Sequence, residues 1–232
     1  MSDLPGGAIS NRPLRFYWVL DVSSSMLGDK INKLNHALRE ALPAMRDTAD
    51  DNPYAAVEIK TLTFGSGCQW VTTAPVPLEK FSWTDITASG VTDMGAAMKA
   101  MAAELSLANM PDRALPPVVV LMSDGQPTDD FEGGLAALMA EPWGKKAIRL
   151  AIAIGDDAEL SNLKKFIGHA EIEPLMARNS EDLVRYIRWV STQVLNAASA
   201  PASRPIGSST GTSPMDNIPP PPPPDPDAAD VW

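Results

Sequence analysis

The chain has 232 residues, 44% hydrophobic and 21% charged, which is typical of one globular domain with some additional material. Its 29 acidic and 19 basic residues give a formal net charge of −10, so neither nucleic acid nor an anionic membrane is expected as a partner. A single cysteine, Cys68, excludes an intrachain disulfide and a multi-cysteine zinc site.

Strand-like and helix-like segments alternate along most of the chain. In order, the pattern predicts a strand at 14–21, a helix at 30–45, a strand at 54–64 with a hairpin partner at 69–73, a helix at 93–108, a strand at 117–122, a helix at 132–139, a strand at 147–154, a helix at 160–167, an edge strand at 172–176 and an amphipathic helix at 180–195. Several strands are apolar throughout and lead into helices. This indicates an α/β, doubly wound, Rossmann-like fold, with a mostly parallel sheet covered by helices on both faces.

The chain ends differ in composition from this alternating region. Residues 1–13 form an N-terminal extension without the apolar core of a signal peptide, and no apolar stretch is long enough to span a bilayer, so a cytoplasmic protein is expected. The domain is predicted at 14–198. Residues 199–232 form a proline-rich tail that has few apolar residues, so it is expected to be disordered and not to join the core. The run 219–224 favours a polyproline II helix, and the terminal DVW, ending at Trp232, could serve as a linear motif.

Oxygen-bearing side chains follow the ends of the predicted strands. Asp21 ends the first strand, Ser23 and Ser25 follow it, Thr92 precedes a helix, and Asp124 follows a later strand. Because the carboxyl ends of parallel strands meet at one edge of a sheet, these side chains should converge. Two carboxylates and three hydroxyls are the kind of ligands that Mg²⁺ prefers.

Helix capping is the alternative interpretation of the same residues. Ser24 or Ser25 could cap the helix that follows them, which is a common use of serine. By the same reasoning, Asp93 is expected to be the N-cap or a first-turn acid of the helix at 93–108 rather than a ligand. Asp129 and Asp130 are expected to begin the helix at 132–139 as a solvated acidic turn.

Three segments, taken together, resemble a known family. DVSSS, GVTDMGAA and LMSDGQPTD occur in the order and at the strand ends found in the metal-ion-dependent adhesion site of von Willebrand factor A domains. The resemblance covers about 14–195. It implies hydroxyl ligands to Mg²⁺ (or to Mn²⁺ or Ca²⁺), carboxylates that support them, often through coordinated water, and a last coordination position left for an acidic residue of a protein partner. The hydroxyl ligands would be Ser23, Ser25 and Thr92, and the carboxylates Asp21 and Asp124.

Within that family the chain looks most similar to the bacterial TerY group associated with tellurite resistance. Members of that group are associated with a serine/threonine kinase and a PP2C-type phosphatase. The resemblance therefore implies a metal-dependent interaction module in bacterial phosphorylation signalling or stress response. The chain departs from many relatives in having the proline-rich tail where they carry a cysteine-rich zinc-binding segment.

Other functional classes find less support in the sequence. With two histidines, neither near a nucleophile-like motif, and no phosphate-binding glycine loop, the chain is not expected to be an enzyme. A Mg²⁺-dependent hydrolase is the alternative from that class. A metal-independent scaffold that acts through its tail is another, and homo-oligomerisation through the tail remains open.

Overall fold

The computed structural model describes residues 11–156, 158–199 and 218–223. The strands are β1 (Arg12–Asp21), β2 (Ala55–Gly65), β3 (Gly67–Trp70), β4 (Val76–Pro77), β5 (Val118–Ser123), β6 (Ile148–Ile154) and β7 (Leu175–Ala177). The α-helices are α1 (Asp29–Asp50), α2 (Met94–Glu104), α3 (Phe131–Ala140), α4 (Pro142–Lys146), α5 (Leu160–Ile167), α6 (Ser180–Trp189) and α7 (Leu195–Ser199). Short 3₁₀ helices lie at Ser24–Met26 and Leu78–Lys80, and a π-helical turn at Val190–Val194 joins α6 to α7.

The seven strands of the described residues belong to one sheet. Its order is β3-β2-β1-β5-β6-β7, and β4 also pairs with β2. Strands β1, β2, β5, β6 and β7 are parallel, whereas β3 and β4 run antiparallel to β2. The chain moves outward from β1 to β2 and then returns to the other side of β1 with β5. This reversal creates a crevice at the carboxyl ends of β1 and β5, where doubly wound sheets bind ligands.

The core explains why these segments adopt their structures. Every residue of β5 and β6 is buried, as expected for central strands covered on both faces. Helix α1 buries one stripe of side chains, which includes Ile31, Leu34 and Leu38, and packs against α6. Helices α2 and α3 pack together at close range, because a Cβ on Gly95 would lie 2.3 Å from the Asp130 carbonyl oxygen. The predicted doubly wound α/β fold is confirmed.

The element boundaries differ from the prediction in three instructive places. β7 begins at Leu175 rather than at 172, because Pro174 has no N–H to donate to a strand ladder. Helix α2 ends at Glu104 rather than at 108, and Asn109 Nδ2 donates to the Ala103 carbonyl at its end, 2.8 Å away. The short elements β4 and α4 were not predicted, because two and five residues carry too little periodicity.

The terminal segments are only partly described. Ser199 ends α7. Residues Ile218–Pro223 lie against the domain, and Ile218 packs on the core, although the tail was not expected to join it. Most of the N-terminal extension and the rest of the tail, including Trp232, lie outside the described residues, so the predictions made for them stay predictions. Among the helices of the described residues, none has the length and apolar character needed to cross a membrane.

Candidate metal centre

The loop after β1, the loop before α2 and the loop after β5 meet at the crevice between β1 and β5. Backbone hydrogen bonds join the loop before α2 to the other two: Ser89 N–H donates to the Val22 carbonyl (2.6 Å), Ser24 N–H to the Gly90 carbonyl (3.0 Å), and Thr128 N–H to the Thr92 carbonyl (2.9 Å). Asp93 N–H also donates to the carbonyl of Gly65 at the end of β2 (2.9 Å). The loop before α2 is therefore held against the loop after β1 and against the end of β2. These bonds fix the backbone around the candidate site.

Hydroxyl and carboxylate oxygens form a continuous chain across two of these loops. Ser23 Oγ and Ser25 Oγ lie 2.9 Å apart, and Ser25 Oγ donates to Asp124 Oδ1 over 2.7 Å. The Thr92 hydroxyl faces the same place, because a Cβ on Gly125 would lie 3.5 Å from Thr92 Oγ1 and 3.7 Å from Ser25 Oγ. Ser23, Ser25 and Asp124 are thus joined by hydrogen bonds, and the Thr92 hydroxyl lies near the same loop, beside Gly125.

Asp21 lies beneath this group and holds the loop that carries the serines. Its Oδ1 accepts the Ser23 N–H (2.8 Å), and its Oδ2 accepts the Ser123 hydroxyl (2.5 Å). Burial raises the pKa of the Asp21 carboxyl, and the charge of Asp124 raises it further, whereas the hydrogen bonds from Ser123 and Ser23 lower it. All five predicted residues therefore meet at this edge of the sheet. Their role as metal ligands stays a prediction.

The structure places one cation in this group that sequence reasoning missed. Lys30 Nζ, in the first turn of α1, lies 2.5 Å from Asp124 Oδ2. Asp124 is therefore bound by Ser25 through one oxygen and by Lys30 through the other. The only sequence feature that points to this contact is the position of Lys30 at the start of the helix that follows DVSSS.

The capping alternative for the serines is wrong. The N-cap of α1 is Gly28, whose side chain has nothing to donate or accept, and whose φ of 81° lies in the left-handed region that favours glycine. The Ser25 hydroxyl donates a hydrogen bond to Asp124 instead.

The acidic residues match the capping prediction in part. Asp93 occupies the N-cap position of α2, but its side chain accepts from Gly67 N–H and from the Thr128 hydroxyl. Asp129 supplies the cap of α2 from another loop.

Asp129 accepts hydrogen bonds from two backbone N–H groups in the first turn of α2. Its Oδ1 and Oδ2 accept from Gly95 N–H and Ala96 N–H, each at 2.7 Å. The following residue, Asp130, caps α3 as predicted by accepting from Gly133 N–H at 2.9 Å. The loop after β5 therefore fixes the start of α2, and with it the position of Thr92.

Comparison with known proteins adds the following. No sequence profile of a known protein family and no curated protein matches the chain. Among solved structures, it is similar to a von Willebrand factor type A protein from Catenulispora acidiphila, with a TM-score of 0.59 and 16% identity over 78% of this chain and 42% of that one. It is likewise similar to the ArnB paralog VWA2 from Sulfolobus acidocaldarius, with a TM-score of 0.57 and 16% identity over 78% of this chain and 45% of that one. The fold is that of von Willebrand factor A domains.

A third similar structure is the pilus adhesin SpaC from Lactobacillus rhamnosus GG, with a TM-score of 0.62 and 12% identity over 81% of this chain and 30% of that one. The chain thus spans less than half the length of each of these three proteins. At such identities the likeness concerns the fold alone.

The donor set of this A-domain fold suits a hard cation. Adjacent ligands of an octahedral Mg²⁺ lie about 2.9 Å apart when each bond is about 2.0–2.1 Å long. The oxygens of Ser23 and Ser25, and those of Ser25 and Asp124, are separated by 2.9 and 2.7 Å. The described residues hold no group of three or more His, Cys, Asp or Glu that could bind a metal, so a cation here would depend on the hydroxyls.

Proposed function

We propose that this chain is a metal-dependent protein–protein interaction module. Mg²⁺ would be held by Ser23, Ser25 and Thr92 with support from Asp21 and Asp124, and an acidic residue of a partner would complete the site. The observation that carries the proposal is the contact between Ser25 and Asp124, because it joins two loops that lie 99 positions apart around a cluster of oxygens.

The chemistry of the donors favours binding of an acidic group. Hydroxyl ligands are neutral, and Asp21 directs both of its oxygens to groups within the chain. A divalent cation held mainly by such ligands would remain a Lewis-acidic centre that attracts a carboxylate. The net charge of −10 would otherwise oppose an acidic partner residue, so the cation would serve as the bridge.

The surroundings of the site offer apolar contact area for a partner. Leu27 and Val91 are 60% and 47% exposed, and each lies within two residues of a predicted ligand. Exposed apolar side chains beside a polar centre are typical of recognition surfaces. We therefore expect the acidic residue of the partner to be flanked by apolar residues.

A binding role fits this chain better than catalysis does. The three loops contain no histidine that could act as a base, and the carboxylate of Asp124 is paired with Lys30. The resemblance to the TerY group favours a serine/threonine kinase and a PP2C-type phosphatase as partners in bacterial signalling. An exposed thiol at Cys68 suits a reducing cytoplasm.

The experiment that tests this proposal compares two neighbouring serines. The full chain and its Ser25→Ala and Ser24→Ala variants are titrated with Mg²⁺, Mn²⁺ and Ca²⁺ by calorimetry. Only Ser25→Ala should weaken metal binding, because the Ser25 hydroxyl lies among the oxygens of Ser23 and Asp124, whereas Ser24 contributes a backbone N–H to Gly90. Equal effects of the two substitutions, or no metal binding by the unaltered chain, would overturn the proposal.

Partner binding is tested with the same three proteins immobilised. Each is exposed to a lysate of the cell of origin with Mg²⁺ or with EDTA, and the retained proteins are identified by mass spectrometry. We expect a set retained in Mg²⁺ by the unaltered chain and by Ser24→Ala, and lost in EDTA and with Ser25→Ala. Retention of the same proteins in EDTA would instead support a metal-independent scaffold.

A further inference from the structure

A groove on the far edge of the sheet holds part of this chain's own tail. The groove is formed by α6 and by the segment that leads into β7, and its lining includes Ile172, Leu175, Tyr186 and Trp189. The tail residues 218–223 line the same cavity from the other side, and Ile218 packs against the core. No lining residue named here belongs to the loops of the proposed metal site.

The exposure of the proline run 219–223 matches the period of a polyproline II helix. Ile218, Pro219 and Pro222 are half-buried, whereas Pro220, Pro221 and Pro223 are exposed. A polyproline II helix has three residues per turn, so Pro219 and Pro222 lie on one edge. That edge faces the domain.

An arginine of α6 also satisfies a backbone carbonyl of the segment. Polyproline II has no internal hydrogen bonds, and its carbonyl groups need outside donors. Arg185 on α6 donates through Nη1 to the Pro223 carbonyl over 2.7 Å. Two of the lining residues, Tyr186 and Trp189, are aromatic, and among the described residues the buried Trp189 Nε1 finds no hydrogen-bond partner. Aromatic-lined grooves are a recurring means of recognising proline-rich segments.

We propose that the groove between α6 and β7 is a polyproline-binding site whose resident ligand is the chain's own Ile218–Pro223 segment. The segment docks on the domain that carries it. It therefore closes the groove to proline-rich segments of other chains until it is displaced.

The length of the intervening chain favours docking within one molecule. The 18 residues at 200–217 can reach up to about 60 Å, and the helical path from Trp189 to Ser199 covers only about 15 Å. A ligand tethered over such a distance has an effective concentration in the millimolar range. A free peptide must compete against that concentration, so an intrinsic Kd of about 100 μM would be weakened roughly tenfold.

Two matched double variants of the full chain test this proposal. Pro219→Ala with Pro222→Ala removes the two prolines that face the groove. Pro220→Ala with Pro221→Ala removes two prolines that face away from the groove. Both double variants therefore lose the same number of prolines. The probe is a fluorescein-labelled peptide with the sequence DNIPPPPPPD, which corresponds to residues 216–225, followed by fluorescence anisotropy in EDTA.

We expect the Pro219/Pro222 variant to bind the peptide about tenfold more tightly than the unaltered chain, because its own segment no longer competes. The Pro220/Pro221 variant should bind like the unaltered chain. Adding Arg185→Gln to the Pro219/Pro222 variant should weaken the peptide again. The indole N–H resonance of Trp189, assigned with Trp189→Phe, should move in the Pro219/Pro222 variant and return when unlabelled peptide is added.

Three outcomes would overturn the proposal. The first is equal behaviour of the two double variants, which would remove the dependence on the face of the helix. The second is failure of the Pro219/Pro222 variant to bind the peptide although its folded spectrum is kept. The third is a dimer of the unaltered chain, measured by light scattering, that dissociates in the Pro219/Pro222 variant, since the segment would then dock on a second copy.

Discussion

Lys30 Nζ lies 2.5 Å from Asp124 Oδ2, while Ser25 donates to the other oxygen of the same carboxylate. The side chain of Lys30 is mostly buried, and that of Asp124 almost completely so. A divalent cation and an ammonium group 4 Å apart repel by about 2 kcal/mol in water and by about 8 kcal/mol at an effective dielectric constant of 20. A divalent cation bound by Asp124 would therefore have to displace the lysine or bear this cost.

The first prediction is that Lys30→Gln increases the affinity for Mg²⁺. Removing the ammonium frees Asp124 and removes the repulsion, so a gain of about tenfold in Kd, or about 1.4 kcal/mol, is expected by calorimetry. The control is Lys145→Gln, an exposed lysine on α4 that changes the net charge equally. If both substitutions strengthen binding to the same degree, the effect comes from the overall charge rather than from Lys30.

The second prediction concerns the buried carboxyl of Asp21. Its raised pKa means that the folded chain binds a proton more tightly than the unfolded chain does. Without metal, stability should therefore rise as the pH falls from above the folded pKa towards the unfolded pKa. Asp21→Asn removes the buried charge, and the amide can still accept from Ser23 N–H and donate to the Ser123 hydroxyl.

In EDTA at neutral pH, Asp21→Asn should consequently have a higher Tm than the unaltered chain and a weaker dependence of Tm on pH. In Mg²⁺ it should lose the increase in Tm that the unaltered chain gains from metal binding. Thermal unfolding followed by circular dichroism across a pH series measures both effects. A lower Tm in EDTA would show that the charge of Asp21 stabilises the loop more than its burial costs.

The third prediction distinguishes the effects of substituting Asp129 and Asp130 on stability and on metal binding. Asp129→Ala removes the cap of α2, and Asp130→Ala removes the cap of α3. Each should lower the free energy of unfolding by about 1–2 kcal/mol, as measured by urea denaturation. Only Asp129→Ala should also weaken Mg²⁺ binding, because α2 starts two residues after Thr92.

The contrast between the two aspartates depends on metal affinity rather than on stability. Equal loss of metal affinity in both variants would mean that the loop after β5 moves as a unit, and that the cap of α2 has no separate effect on Thr92. Asp129→Asn, which keeps one acceptor oxygen, should recover part of the affinity lost in Asp129→Ala.

The positions of the predicted site residues could be inferred from the sequence because of how parallel sheets are built. Asp21, Ser25 and Asp124 each follow an apolar strand, and topology alone brings such strand ends together. Lys30 and Asp129 carry no comparable signal. Their contacts join residues 94 and 33 or 34 positions apart, and depend on the close approach of helices to a neighbouring loop.

The tail illustrates a second limit of sequence patterns. Its composition favours polyproline II, but a run of identical prolines does not indicate which of them will face a surface. Pro219 and Pro222 are distinguished from Pro220 and Pro221 only by the groove that α6 and β7 provide. That groove is formed by tertiary packing, so composition alone predicted no contact with the core.

The fourth prediction tests the apolar surroundings of the proposed metal site. Leu27→Ser should weaken retention of the Mg²⁺-dependent partners by about tenfold or more, because burying a leucine side chain contributes about 1.5–3 kcal/mol. Mg²⁺ binding itself should be unchanged, since Leu27 is two residues beyond Ser25 and contributes no oxygen ligand. The matched control is Leu107→Ser, which alters an equally apolar and 70% exposed side chain just after α2. If Leu27→Ser and Leu107→Ser retain the partners equally well, Leu27 takes no part in the interface and the partner depends on the metal alone.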